Sequence, residues 1–123
     1  MISGTVLRRV DSYLEVEIEN RCIIRALADG GPAVRAGEHA VFSVRPAAIE
    51  LGDGSAVSVD ANRLEGTVGA SAYHGSFVEY EIAALGQTIK ARVSNPRDRP
   101  IFTPGESVTL LCPPQDIVLV PAD

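Results

Sequence analysis

Ser71, His74 and Asp60 are the residue types of a nucleophile, a base and an orienting carboxylate, and they lie near one another in the chain. Any chain of 123 residues offers such a trio by chance, and Ser71 lacks the GxSxG elbow that would present its hydroxyl on a strained turn. Glu15, Glu17 and Glu19 are candidates for holding a cation, but they alternate with Leu14, Val16 and Ile18 and read as the solvated face of a strand. His39 and His74 with the distant Cys22 and Cys112 make a poor zinc set, and neither HExxH nor CxxC is present. Lys90, the single lysine, has no glycine loop before it, so phosphates are not cradled here in the P-loop manner. Cys22 and Cys112 each sit in an apolar, strand-like run and read as buried thiols. Catalysis by this chain is not expected.

Composition narrows the partners. The chain is 46% apolar and 22% charged, the balance of a soluble globular protein. No run approaches the roughly 18 apolar residues of a membrane helix. The start, MISGTVLRRV, lacks a signal peptide's basic head and apolar core, so a cytoplasmic address is expected. The net charge is −5, and the ten arginines and one lysine are scattered, which disfavours phosphate backbones. Tyr73 and Phe77 flank one turn, but two aromatics are not the stacking track that single-strand binding needs. No nucleic-acid partner is expected.

The elements that would carry any site are strands. Leu14, Val16 and Ile18 alternate with glutamates, and Val78, Tyr80 and Ile82 do the same around Glu79 and Glu81. RCIIRAL, TIKARV, HAVFSVR, SVTLLC and DIVLV read as further strands, separated by Asp29-Gly30-Gly31-Pro32, Gly52-Asp53-Gly54-Ser55, Asn95-Pro96 and Thr103-Pro104-Gly105. No window has a convincing helical period, and Pro46-Ala47-Ala48-Ile49 is one short turn at most.

The order of these strands is written twice. ISGTV at residues 2–6 is echoed by LEGTV at 64–68, with Gly4 and Gly66 62 residues apart. LEVEI (14–18) aligns with VEYEI (78–82) at an offset of 64, which sets Glu15 against Glu79. GEHAVFSVRPAAIEL (37–51) aligns with GESVTLLCPPQDIVL (105–119) at 68. The offset grows around 72–75 and 95–104, where turns are expected and insertions are tolerated. The reading is an all-β chain of two related five-stranded units of OB type, approximately 2–51 and 62–120. Whether the units form separate barrels or exchange strands is left open by the pattern.

The series VRPAAIEL, NRLEGTVGASAYHGSFVEYEI and GESVTLLCPPQDIVLV resembles the TOBE domain, the C-terminal part of the ATP-binding subunit in many bacterial ABC importers. The family's elements are met by Val44-Arg45-Pro46 with Ile49, by Asn62-Leu64-Gly66-Val68, by Tyr73 with Gly75, and by Gly105-Glu106 with Val108. The resemblance implies a regulatory, dimer-stabilising accessory domain of an importer for polyamine, iron or sugar. It implies that this chain is a fragment whose ATPase domain, with ATP and Mg, would precede Ile2. The parent subunit would be a homodimer beneath the permease subunits, peripheral to the inner membrane, with a regulatory protein or small effector as a further partner. The candidate interaction surface is Arg45 and the 72–77 hairpin with Tyr73, His74 and Phe77. Ala47 stands where the family has Glu after Arg-Pro. The related molybdate-binding modules carry Ser-Ala-Arg-Asn where this chain reads Val59-Asp60-Ala61-Asn62, which argues against oxyanion binding at that place. An oxyanion or small-ligand module is nonetheless the alternative function. No cofactor or metal is expected in this chain itself.

Overall fold

The computed structural model of the chain describes residues 2–18, 22–28, 34–52, 61–94 and 101–120. Ten strands are described: β1 (Ile2–Val10), β2 (Tyr13–Ile18), β3 (Cys22–Leu27), β4 (His39–Val44), β5 (Glu50–Gly52), β6 (Asn62–Tyr73), β7 (Phe77–Ala84), β8 (Gln87–Ser94), β9 (Ser107–Cys112) and β10 (Ile117–Leu119). Single 3-10 turns at Pro46–Ala48 and Pro114–Asp116 precede β5 and β10. The expected turn at 46–49 is therefore one of a pair.

The strands make two five-stranded sheets. One closes into a barrel in the order β1-β2-β3-β10-β4, and the other is an open sheet in the order β5-β9-β6-β7-β8. The short strand that ends each half of the chain lies in the other half's sheet. β5 pairs with β9, with Leu51 opposite Leu110, and β10 pairs with β4, with Leu119 opposite Phe42. The units exchange strands.

One apolar core runs through both sheets. Leu14, Val16, Ile18, Ile24, Phe42 and Ile117 fill the barrel, and Leu64, Val68, Tyr80, Ile82, Ile89 and Leu110 face inward from the open sheet. Two side-chain amides fasten the units to each other. Asn62 accepts the Arg25 backbone N–H through Oδ1 at 2.9 Å and donates from Nδ2 to the Arg25 carbonyl at 2.8 Å. Gln87 does the same to Ser3, with both bonds at 2.9 Å. Each amide stands in for a neighbouring strand by satisfying both backbone groups of one residue.

The sheets match locally. β1 and β6 each carry a bulge, between Val6 and Arg8 and between Val68 and Ala70. The Gly-Glu pairs sit in equivalent turns: Gly37 (φ 90°) and Gly105 (φ 96°) donate to the carbonyls of Val6 and Val68 at 2.7 and 2.8 Å. Positive φ at the third turn position is what glycine supplies, and Pro104 occupies the second position of its turn.

They differ in two places. Val6 pairs with Val16 while Val68 pairs with Ile82, so the ladder sets Glu15 against Glu81, two residues from the Glu79 that sequence alignment selects. The β6–β7 hairpin is accordingly longer by two residues in each arm. The second difference is closure. In the barrel, Val118 of β10 meets Leu27 of β3 in a parallel bridge. The corresponding residues of the open sheet are Glu50 and Arg92, and β5 makes no ladder with β8. Two apolar residues meet at the strand ends in one unit, and a glutamate and an arginine occupy the corresponding positions in the other.

Candidate functional site

The longer hairpin carries three of the four residues expected to form an interaction surface. The His74 N–H donates to the Phe77 carbonyl at 2.9 Å, and Gly75 (φ 88°) turns the chain between them. The His74 ring stacks on Phe77 with centroids 4.7 Å apart, and the Arg92 guanidinium lies 4.4 Å from the Phe77 ring centroid. Such contacts of cation and ring hold a side chain in place at little cost. Arg92 also pairs with Glu79 at 3.1 Å. Tyr73 is 61% exposed and pairs with Val78, whose face is opposite to that of Phe77. Arg45 is exposed ahead of the turn at Pro46. His74 and Phe77 are thus brought together, while Tyr73 and Arg45 stand apart from them. Ser71 lies on the Tyr80 side of its ladder, on the face away from His74, and Asp60 lies outside the described residues.

Sequence reading missed a trough beside this hairpin. It crosses β6, β7 and β8, with a volume of about 360 Å³. Three ladder rows build it: Ala70-Glu81-Lys90, Ser71-Tyr80-Ala91 and Ala72-Glu79-Arg92. Tyr80 and Ala91 are buried on the core side, so Glu79, Glu81, Lys90 and Arg92 stand on the outer face by strand alternation. Pro46 closes the trough at β8. Among the described residues Glu81 and Lys90 make no ion pair.

The barrel shows what the trough lacks. In the barrel, Arg8 holds the place of Ala70, and its Nε and terminal nitrogen donate to the two Glu15 oxygens at 2.7 and 3.1 Å. The hydrogen bond from Arg8 holds the Glu15 carboxyl below the usual carboxylate range. Arg25 and Lys90 are equivalent beyond the glutamate, so the rows Arg8-Glu15-Arg25 and Ala70-Glu81-Lys90 differ by one missing cation. The signal for this was in the sequence, but only once the two-residue register difference is known.

A second cleft of about 180 Å³ occupies the open seam between β5 and β8, lined by Ile49, Leu51, Val93 and Phe102 with Glu50 and Arg92 at its rim. The Phe102 backbone N–H donates to the buried Tyr80 hydroxyl at 3.2 Å, which ties the 101–106 segment to the sheet. Cys22 is half-buried, Cys112 is buried, and both thiols are free. Burial, and secondarily the Asp116 carboxylate, pushes the Cys112 thiol up to about 12. No group of three or more metal-ligating side chains occurs among the described residues. None of their helices is long and apolar enough to cross a membrane.

This is an all-β architecture of two OB-like units, with a groove on the outer face of the open sheet. The TOBE domain family model matches residues 42–120, and the chain belongs to that family. A search of curated protein sequences finds no match. Among solved structures, the cytoplasmic molybdate-binding protein ModG, in a PEG-grown crystal form with molybdate bound, is similar in fold. Its TM-score is 0.74 at 22% identity, covering 98% of this chain and 94% of that one.

Proposed function

We propose that the chain is a small-ligand-binding module whose ligand class is an oxyanion. The observation that carries this reading is the extent of the fold likeness. A molybdate-bound protein is built almost wholly from this pair of exchanged units, so the architecture needs no attached catalytic domain to capture an anion. In this chain Lys90 and Arg92 of β8 are the cations an anion would meet in the trough. Titration calorimetry with molybdate, tungstate and sulfate tests it. Dissociation constants of about micromolar are expected for at least one, near −8 kcal/mol. Absence of binding by all three at millimolar concentration refutes the reading.

A second reading keeps the chain as the regulatory, dimer-stabilising domain of an ABC importer's ATPase subunit. It is favoured by Val59-Asp60-Ala61-Asn62, where the molybdate modules carry Ser-Ala-Arg-Asn. In that reading ATP and Mg belong to the parent's catalytic domain, and the parent dimerises at the inner face of the membrane beneath its permeases. An effector would then meet the 72–77 hairpin. An in-frame upstream coding segment with a P-loop supports this second reading, and its absence removes it.

A further inference from the structure

We propose that the β6–β8 trough is a binding site for the guanidinium group of a small solute, with Glu81 as its carboxylate partner. This inference goes beyond the oxyanion reading: it concerns the same trough but its carboxylate in place of its cations. The barrel supplies the occupied form of the same site: the Arg8 guanidinium lies against Glu15 with two hydrogen bonds, on the outer face, with Arg25 beyond. In the open sheet the glutamate, the cation beyond it and the strand pleat are all repeated, but position 70 is Ala and position 72 is Ala. The missing side chain leaves the trough and a carboxylate with no ion-pair partner among the described residues.

A free guanidinium entering there makes the bidentate contact that Arg8 makes in the barrel, because a planar fork matches a carboxylate. Lys90 does not block it, since Arg25 holds the same place beside Glu15 while Arg8 still bonds. The far wall is fixed in advance: Glu79 is held by Arg92, and Arg92 by Phe77. The trough's volume, about 360 Å³, falls in the range of small-molecule sites, roughly 300–1,000 Å³.

The test is an amide-shift titration of isotope-labelled protein at low salt, with L-arginine against L-citrulline, which has the same shape without the charge. Arginine is expected to bind at about millimolar concentration and to shift Ala70, Ser71, Glu81 and Lys90, with citrulline weaker by about tenfold or more. Ala70→Arg is expected to remove the binding by supplying the cation in cis, and to fold, because the barrel already accepts Arg at this place. Glu81→Gln is expected to weaken it comparably. Equal shifts by citrulline, undiminished binding by A70R, or no arginine shifts at these residues would each overturn the proposal. Oxyanion binding should survive A70R, so the two readings fail separately.

Discussion

Adding one methyl group at Gly4 or Gly66 should unfold the chain more readily than its size suggests. A Cβ at Gly4 would lie 2.7 Å from the Glu17 carbonyl oxygen and 2.7 Å from Val16 Cγ1. At Gly66 it would lie 2.6 Å from Ile82 Cγ2 and 3.0 Å from the Ala83 carbonyl oxygen. Val16 and Ile82 have no exposed surface, so their methyls cannot swing aside, and a ladder carbonyl moves only if the strand does. Overpacking of this kind costs about 1–3 kcal/mol, against a gain of about 0.4–1 kcal/mol from the stiffer unfolded chain. Gly4→Ala, with a backbone atom in closest approach, should lose about 2.5 kcal/mol and Gly66→Ala about 1.5 kcal/mol. At roughly 4 °C per kcal/mol for a chain of this size, melting temperatures fall by about 10 °C and 6 °C. Gly69→Ala is the internal control. Its nearest atom is the Glu81 carbonyl oxygen at 3.5 Å, an ordinary contact. Thermal and urea unfolding of the three variants decide the matter. If Gly69→Ala proves as costly as the other two, or Gly4→Ala is neutral, close approach is not the reason these glycines are there.

Three further outcomes follow from named contacts. Asn62→Ala leaves both backbone groups of Arg25 without the amide that satisfies them, and should cost about 2–3 kcal/mol with faster hydrogen exchange at the Arg25 amide. Tyr80→Phe removes the acceptor for the Phe102 N–H, and should cost about 1 kcal/mol while loosening the 101–106 segment in exchange experiments. Cys112 makes alkaline pH destabilising. Its thiol is held near 12 when folded, so the unfolded chain releases that proton first, from about 9 upward. The thiol's contribution should therefore be level below pH about 9 and fall toward pH about 12, by at most about 1.4 kcal/mol per pH unit. Cys112→Ala should flatten that slope in urea melts, and an unchanged slope would remove the thiol from the account.

The strands, the turn at 103–105 and the lack of α-helix among the described residues were legible because alternation and glycine chemistry are local, while the turn signals at 29–32, 53–55 and 95–96 lie outside the described residues. HAVFSVR, SVTLLC and DIVLV become β4, β9 and β10, and Thr103-Pro104-Gly105 is a turn because glycine alone is comfortable at φ 96°. The motif Asn62-Leu64-Gly66-Val68 was readable as a pattern, and the structure gives each member a reason. Asn62 fastens β3, Leu64 and Val68 fill the core, and Gly66 lets Ile82 approach. The exchange of β5 and β10 was not legible. Each is a three-residue strand after a proline-led turn, and nothing in three residues says which sheet they will join.

The candidate site was hidden for a related reason. A slip of two residues along a strand keeps every side chain on its face, so alternation cannot detect it. Aligning Glu15 with Glu79 satisfies the pattern as well as aligning it with Glu81, and only the ladder bonds distinguish them. With the first alignment the two hairpins differ in a loop; with the second they differ by an arginine. That difference locates a place beside Glu81, on the outer face, where the open sheet lacks a cation that the barrel carries. It lies on the same outer face as Glu79 and Arg92, with three ladder pairs between it and His74 and Phe77 at the hairpin tip. The hairpin is longer because β7 pairs two residues further along β6, and the trough is open because position 70 carries Ala where position 8 of the barrel carries Arg.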